Sequence, residues 1–217
     1  MIIGGLPFIG FCGKDKWMKD LLRRIGLLKD IPRTGWFFAG VGLTEAEDVA
    51  QHSFEVAAVV MLLLDEMRGR KVDGGRALEM ALVHDMPECL VADFPYPGLR
   101  YLPRESKRKM EERAAQDLFA GRERLMDLWR EFSEGKSTEA RLVHAADYVS
   151  ILLQALRYAE AGNLSDGMLE LWHQVLEDLE PLRGEFPEVD RLVRNLERDF
   201  SRICSRRPSS APRRSRG

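Results

Sequence analysis

Residues 139–158 read EARLVHAADYVSILLQALRY, and from 139 to 161 almost every helical face is apolar. Leu142, Val143, Ala146, Val149, Leu152 and Leu156 leave no continuous solvated side. A helix that is apolar nearly all round is enclosed by its neighbours, so this one is expected at the centre of the molecule. Ser137 marks its start. Asp147 falls in its middle, and a carboxylate placed there needs compensation. The compensation is either an ion pair, with Arg33, Arg141 or Arg157 as candidates, or a metal ion. Residue types alone leave both open.

On either side the chain keeps the three- and four-residue period of amphipathic helices. Residues 17–29 place Trp17, Leu21, Leu22, Ile25 and Leu28 on one face and stop before Pro32. Thr44 with Glu47 has the spacing of a capping box and predicts a helix from there to about Met67. Its buried stripe is Val49, Val56, Val59 or Val60, Leu63 and Met67, and His52 falls on the same stripe. A helix over residues 73–86 turns Ala77, Met80, Ala81 and His84 inward. Pro87 is expected to end it, and Pro95, Pro97 and Pro103 predict a loop across the site over residues 88–100. A long charged helix is expected over residues 104–132, interrupted near Gly121, with Lys107, Arg108 and Lys109 on a solvated face. Helices over 165–182 and 187–204 complete the body. With no alternating strand pattern and no repeat, the fold class is all-α, a single helical bundle.

Composition narrows the function. The chain has 217 residues, 45% hydrophobic and 31% charged, which suits one domain with one core. Its longest apolar run, residues 56–64, is too short to cross a membrane. Residues 1–13, MIIGGLPFIGFCG, lack the basic lead and small-residue cleavage site of a signal peptide. Residues 1–17 are therefore read as a poorly ordered extension of a cytoplasmic protein. Cys12, Cys89 and Cys204 are widely spaced, suggest no disulfide framework or thiolate site, and fit a reducing compartment. Residues 205–217 form a basic, solvated tail with five arginines, so the rest of the chain carries −7 against −2 for the whole. An acidic body is a poor nucleic-acid platform.

Three predicted helices thus each turn a ligand-type side chain inward: His52, then His84 with Asp85, then Asp147. Two neutral imidazoles and two carboxylates offset the charge of a divalent cation and leave positions for water and substrate. Glu88 and Asp93 follow within ten residues of His84.

This H…HD…D series resembles the signature of the HD-domain phosphohydrolases, helical metal-dependent enzymes acting on phosphate esters. The segments IPRTGW (31–36), VAQHS (49–53), ALVHDMPECLVADFP (81–95) and residues 139–158 look like the small branch containing the 5′-deoxynucleotidases and their eukaryotic HD-domain-containing relatives. The likeness spans residues 18–160, within an HD domain expected over 18–204. It implies removal of phosphate from deoxyribonucleoside 5′-monophosphates. By position it implies that His52, His84, Asp85 and Asp147 hold the cation. Glu88 and Asp93 would serve as the proton-transfer pair or as a second, weaker metal site. Arg33 and Trp36 would meet phosphate and sugar, with the ring excluding a 2′-hydroxyl, and Asp93 would lie beside the substrate. A homodimer is implied as well, with the late helices as its face. Two stretches depart from the branch: Gly35 stands where bacterial members place an Arg before the Trp, and Tyr148, Val149 and Ser150 follow Asp147 where relatives commonly carry a Lys or Glu.

Other readings remain to be separated by experiment. A triphosphate or alarmone hydrolase of the same class would call for more convergent Lys and Arg than Arg33. A non-catalytic nucleotide-binding helical protein would not need the full metal set. His144, one turn before Asp147, reads as a satisfied helix histidine, His173 as ordinary, and Cys89 as a small buried hydrophobe. A His₂Asp₂ set accepts Mn, Co, Fe, Ni, Zn or Mg, so the metal's identity is not readable.

Overall fold

The structure, a computed structural model, describes residues 14–95, 98, 101–103 and 105–206. Cys12, Pro97, residues 1–13 of the expected extension and the tail from 207 lie outside the described residues. All regular elements among the described residues are helical, and the nearest approach to a sheet is one antiparallel bridge between Pro32 and Asp48. In order they are α1 (Lys14–Ile25), a 3₁₀ helix (Gly26–Asp30), α2 (Gly35–Phe38), α3 (Val49–Glu66), α4 (Gly74–Val83) and α5 (Glu88–Val91). Then come α6 (Ser106–Leu118), α7 (Glu123–Glu134), α8 (Thr138–Glu160), α9 (Asp166–Glu185) and α10 (Pro187–Ser205).

The apolar stretch is central, as its composition requires: α8 packs against α3, α4, α7, α9 and α10. Leu142, Val143, Ala145, Ala146, Val149 and Leu152 on it are fully buried. Ser137 caps it, its Oγ accepting the Ala140 N–H at 3.1 Å, which satisfies a backbone donor the first helical turn leaves free.

Two apolar clusters surround this helix unevenly. The larger gathers α4, α8, α9, α10 and the later turns of α3. The smaller joins Leu21 and Leu28 to Val49, Val83, Cys89, α6 and α7. His52 lies between Val49 of the smaller cluster and Val56 of the larger, and His84 follows Val83 of the smaller and meets, edge-on, Phe132, which packs against the larger. The imidazoles therefore sit on the seam where the cores meet.

Several boundaries differ from expectation for physical reasons. Helix α3 starts at Val49, not at Thr44: Asp48 is the cap, its side chain accepting the Gln51 N–H at 2.7 Å while the Gln51 side-chain oxygen Oε1 accepts the Asp48 N–H at 3.0 Å. The residues before it are committed elsewhere. Arg33 N–H donates to the Glu47 carbonyl and Val49 N–H to the Ile31 carbonyl, both at 2.9 Å. Tyr158 donates its hydroxyl to the Glu45 carbonyl and accepts the Glu47 N–H, pinning the turn to α8. The long charged stretch, by contrast, is interrupted at Gly121 as expected, where a left-handed φ of 72° separates α6 from α7. Pro87 does not simply open a loop; it precedes the single turn α5, which buries Glu88 and Cys89. Residues 14–17, expected in the extension, belong to α1, with Trp17 against the smaller cluster and under the Arg122 guanidinium. On the late helices implied as a dimer face, Trp172 is buried, its ring stacked on Phe200 at 3.8 Å between centroids. The start of α9 approaches so closely that a Cβ on Gly167 would meet the Phe38 carbonyl oxygen at 2.0 Å, which only glycine permits.

Candidate metal centre

His52 on α3, His84 just after α4 and Asp147 on α8 point at one spot. One ligand atom of each lies within 4.8 Å of the others, and His52 Nε2, His84 Nε2 and Asp147 Oδ1 are buried without a hydrogen-bond partner. His52 Nε2 and Asp147 Oδ1 are 3.0 Å apart, charge-pair distance, without the alignment of a hydrogen bond. His52 is wholly enclosed and His84 4% exposed, so no bulk water satisfies these atoms. Orphaned buried polar atoms cost on the order of 1–3 kcal/mol each. Three converging on one point fit a cation. His84 Nδ1 is 2.7 Å from the Ala81 carbonyl oxygen, which can only accept, so Nδ1 carries the proton and the neutral ring offers the Nε2 lone pair.

Asp85 stands differently. Its Oδ2 is 3.2 Å from His84 Nε2 and 3.7 Å from His52 Nε2, but Arg33 Nη1 holds the same oxygen at 3.0 Å. Three of the four expected ligands thus converge with free atoms, and the fourth touches them while paired to a guanidinium.

The facing side is built from the 31–36 connector, α5 and α6. Asp93 Oδ2 accepts the Thr34 backbone N–H at 2.5 Å and its hydroxyl at 2.8 Å, and Asp93 Oδ1 is 3.8 Å from Arg33 Nη1. Ala92 just before it adopts φ 61°, ψ 171°, a region that costs a non-glycine residue about 1–3 kcal/mol. The strain turns the chain out of α5 and brings Asp93 onto the connector. Glu88 is 4% exposed, with Oε2 buried and unpartnered. Trp36, expected beside the sugar, lies in the larger core cluster at 3% exposure, donating its indole N–H to Glu47 at 2.9 Å and meeting the Tyr158 ring edge-on.

Electrostatics divide these acids. Burial works against ionised Asp147, but His52, His84 and Arg33 outweigh it and hold its pKa at about 2. Burial likewise opposes the charge on Asp85, and His84, Arg33 and His52 drive its pKa well below the carboxylate range. Arg33 is desolvated too, yet Asp85, Glu88, Asp93 and Asp147 keep it charged at every accessible pH. Glu88 goes the other way: burial, then the charges of Asp85 and Asp93, push its carboxyl well above the usual range. For His144 burial lowers the pKa, and its Nε2 lies 2.9 Å from the Phe132 carbonyl oxygen, in keeping with a satisfied helix histidine. Burial raises the Cys89 thiol to about 11.

Lys107 was not expected here. It lies on the inner side of α6, its Nζ 3.2 Å from Glu111 Oε1, and its charge acts on Asp85 and Glu88, whereas Arg108 and Lys109 are exposed. The signal was legible: Lys107 and Glu111 share a four- and three-residue stripe with Ala114 and Leu118, both buried.

Comparison with known proteins agrees with this geometry. The profile of the HD domain family matches residues 25–181. The mouse protein named 5′-deoxynucleotidase HDDC2 is 32% identical over 192 residues, covering 85% of this chain and 89% of its own. Its Xenopus laevis counterpart is 33% identical, covering 85% and 88%. A crystallised protein from Pyrococcus horikoshii OT3 superposes with a TM-score of 0.70 at 32% identity, over 86% of this chain and 99% of its own.

Proposed function

This chain belongs to the HD domain family, and from that membership we propose that it is a divalent-metal-dependent phosphomonoesterase acting on deoxyribonucleoside 5′-monophosphates. The observation that carries the reading is the convergence of His52 Nε2, His84 Nε2 and Asp147 Oδ1, buried and without partners, beside Asp85. A divalent cation held there would draw charge from a phosphoryl group and supply a water acidic enough to attack near neutral pH.

The protein's own groups do the rest. Arg33 exchanges Asp85 and Asp93 for the phosphate, to which a planar guanidinium can bind by two parallel bonds. Lys107 adds a second positive charge from across the cleft. Glu88 retains its proton to higher pH than an ordinary carboxyl and hands it to the departing 5′ oxygen. Asp93 positions the connector through Thr34. Because Asp93 Oδ2 is already committed there, we favour one cation over the two that Glu88 and Asp93 would otherwise allow; two ions per chain by elemental analysis would reverse this.

The test is phosphate release from a panel of deoxyribo- and ribonucleoside monophosphates and deoxyribonucleoside triphosphates with Mn²⁺, Co²⁺ or Mg²⁺. Release from the deoxyribonucleoside monophosphates, abolished by a chelator, is expected. No cation bound and no phosphate released would leave a nucleotide-binding protein instead. Equal rates on ribo- and deoxynucleotides would discard the sugar-excluding role implied for Trp36.

A further inference from the structure

Ser150 is buried on α8, one turn beyond Asp147. Its Oγ lies 2.8 Å from the Asp147 backbone carbonyl and 3.1 Å from His52 Nδ1. A carbonyl oxygen can only accept, so the single hydroxyl proton of Ser150 goes to Asp147. The Oγ lone pairs then face His52, and the bond closes only if Nδ1 carries the proton. That leaves the neutral ring's lone pair on Nε2, the atom 3.0 Å from Asp147 Oδ1 at the point of convergence.

We propose that Ser150 is a positioning residue that fixes the tautomer and rotation of His52 by linking its Nδ1–H to the Asp147 main chain. The proposal rests on the reading of this site as a cation site. One hydroxyl thereby registers two of the proposed ligands, on α3 and α8, against each other. Without it, His52 has an alternative: the Nε2–H tautomer can turn toward Asp147 Oδ1, already within reach, and both would be lost to a cation together. His84 has the same Nδ1 arrangement through the Ala81 carbonyl, so its tautomer does not depend on Ser150. Outer partners of metal-binding histidines typically change affinity by about 10–100-fold.

The test uses the full chain, Ser150→Ala and Ser150→Thr. Cobalt(II) affinity is measured by calorimetry, and the imidazole tautomers of the metal-free proteins by ¹⁵N–¹H NMR; four histidines in the chain keep assignment tractable. Expected is a loss of cobalt affinity of about 10–100-fold in Ser150→Ala with His52 moving from Nδ1–H to Nε2–H, His84 unchanged, and recovery in Ser150→Thr. Affinity within about twofold of wild type, or an unchanged His52 tautomer, would overturn the proposal, since mere loss of packing would not select a tautomer. Failure of the wild-type chain to bind cobalt would instead overturn the metal reading, while the NMR arm still decides whether Ser150 sets the ring.

Discussion

The wall made by α3, the end of α4 and α8 presents His52, His84 and Asp147 from within the cores, and their inward atoms have no protein partner. Across the cleft, most charged groups are matched to one another: Arg33 to Asp85 and Asp93, Asp93 to Thr34, Lys107 to Glu111. The first wall is unsatisfied and rigid, because apolar packing holds it. The second is largely satisfied and consists of a connector, one helical turn and a helix face. Unsatisfied buried atoms select a ligand the polypeptide cannot supply, whereas paired charges bind substrate only by exchanging partners.

The most direct way to break this contrast is Asp147→Asn. It should abolish cation binding by elemental analysis, and phosphate release with it; full retention of metal would show that the first wall is not a ligand wall. Next in size is Arg33→Met, for which KM should rise about 10–100-fold, the worth of a charge-assisted bond of about 1.5–3 kcal/mol, with Arg33→Lys recovering part. A loss confined to kcat would take Arg33 out of ground-state phosphate contact.

Glu88 sharpens the contrast through pH. Its folded pKa is raised, so the stability it contributes is complete below the ordinary carboxylate range and is lost as pH rises through the raised value. Metal-free Glu88→Gln should therefore match wild type in urea denaturation near pH 4 and exceed it increasingly toward about pH 8. A constant difference across that range would mean that the Glu88 carboxyl titrates alike in the folded and unfolded chain. The smallest effect is expected at Ala92. Replacement by glycine relieves about 1–3 kcal/mol of backbone strain and loses about 0.5–1 to chain entropy, a net gain of about 1 kcal/mol in denaturant titration.

The first wall was legible in the sequence and much of the second was not, for a physical reason. His52 and Asp147 sit on long apolar helices, and His84 just past the end of a shorter one, whose period assigns an inward face without any knowledge of tertiary structure. Residues 42–48 and 88–95 have no such period. Asp48 rather than Thr44 became the cap because the Arg33 and Tyr158 contacts, 15 and 110 residues away, had already set the backbone around Glu47 and Asp48. Trp36 read as a substrate contact by position, yet its indole N–H finds Glu47 inside the core. Lys107 was misread because three adjacent cations look like a solvated face until Ala114 and Leu118 are placed on the same stripe.

The backbone bonds joining Ile31 and Arg33 to Val49 and Glu47 have a kinetic consequence. They hold the connector's backbone and the start of the His52 helix in one body, so opening the cleft by swinging the connector aside would tear that seam. If Arg33 meets the phosphate as proposed, entry and departure are swaps of anions at its guanidinium, with Asp85 and Asp93 as the resident counterions. If anion departure limits turnover, added neutral salt should quicken it at saturating substrate by screening the attraction; a swinging arm would leave the rate insensitive to ionic strength.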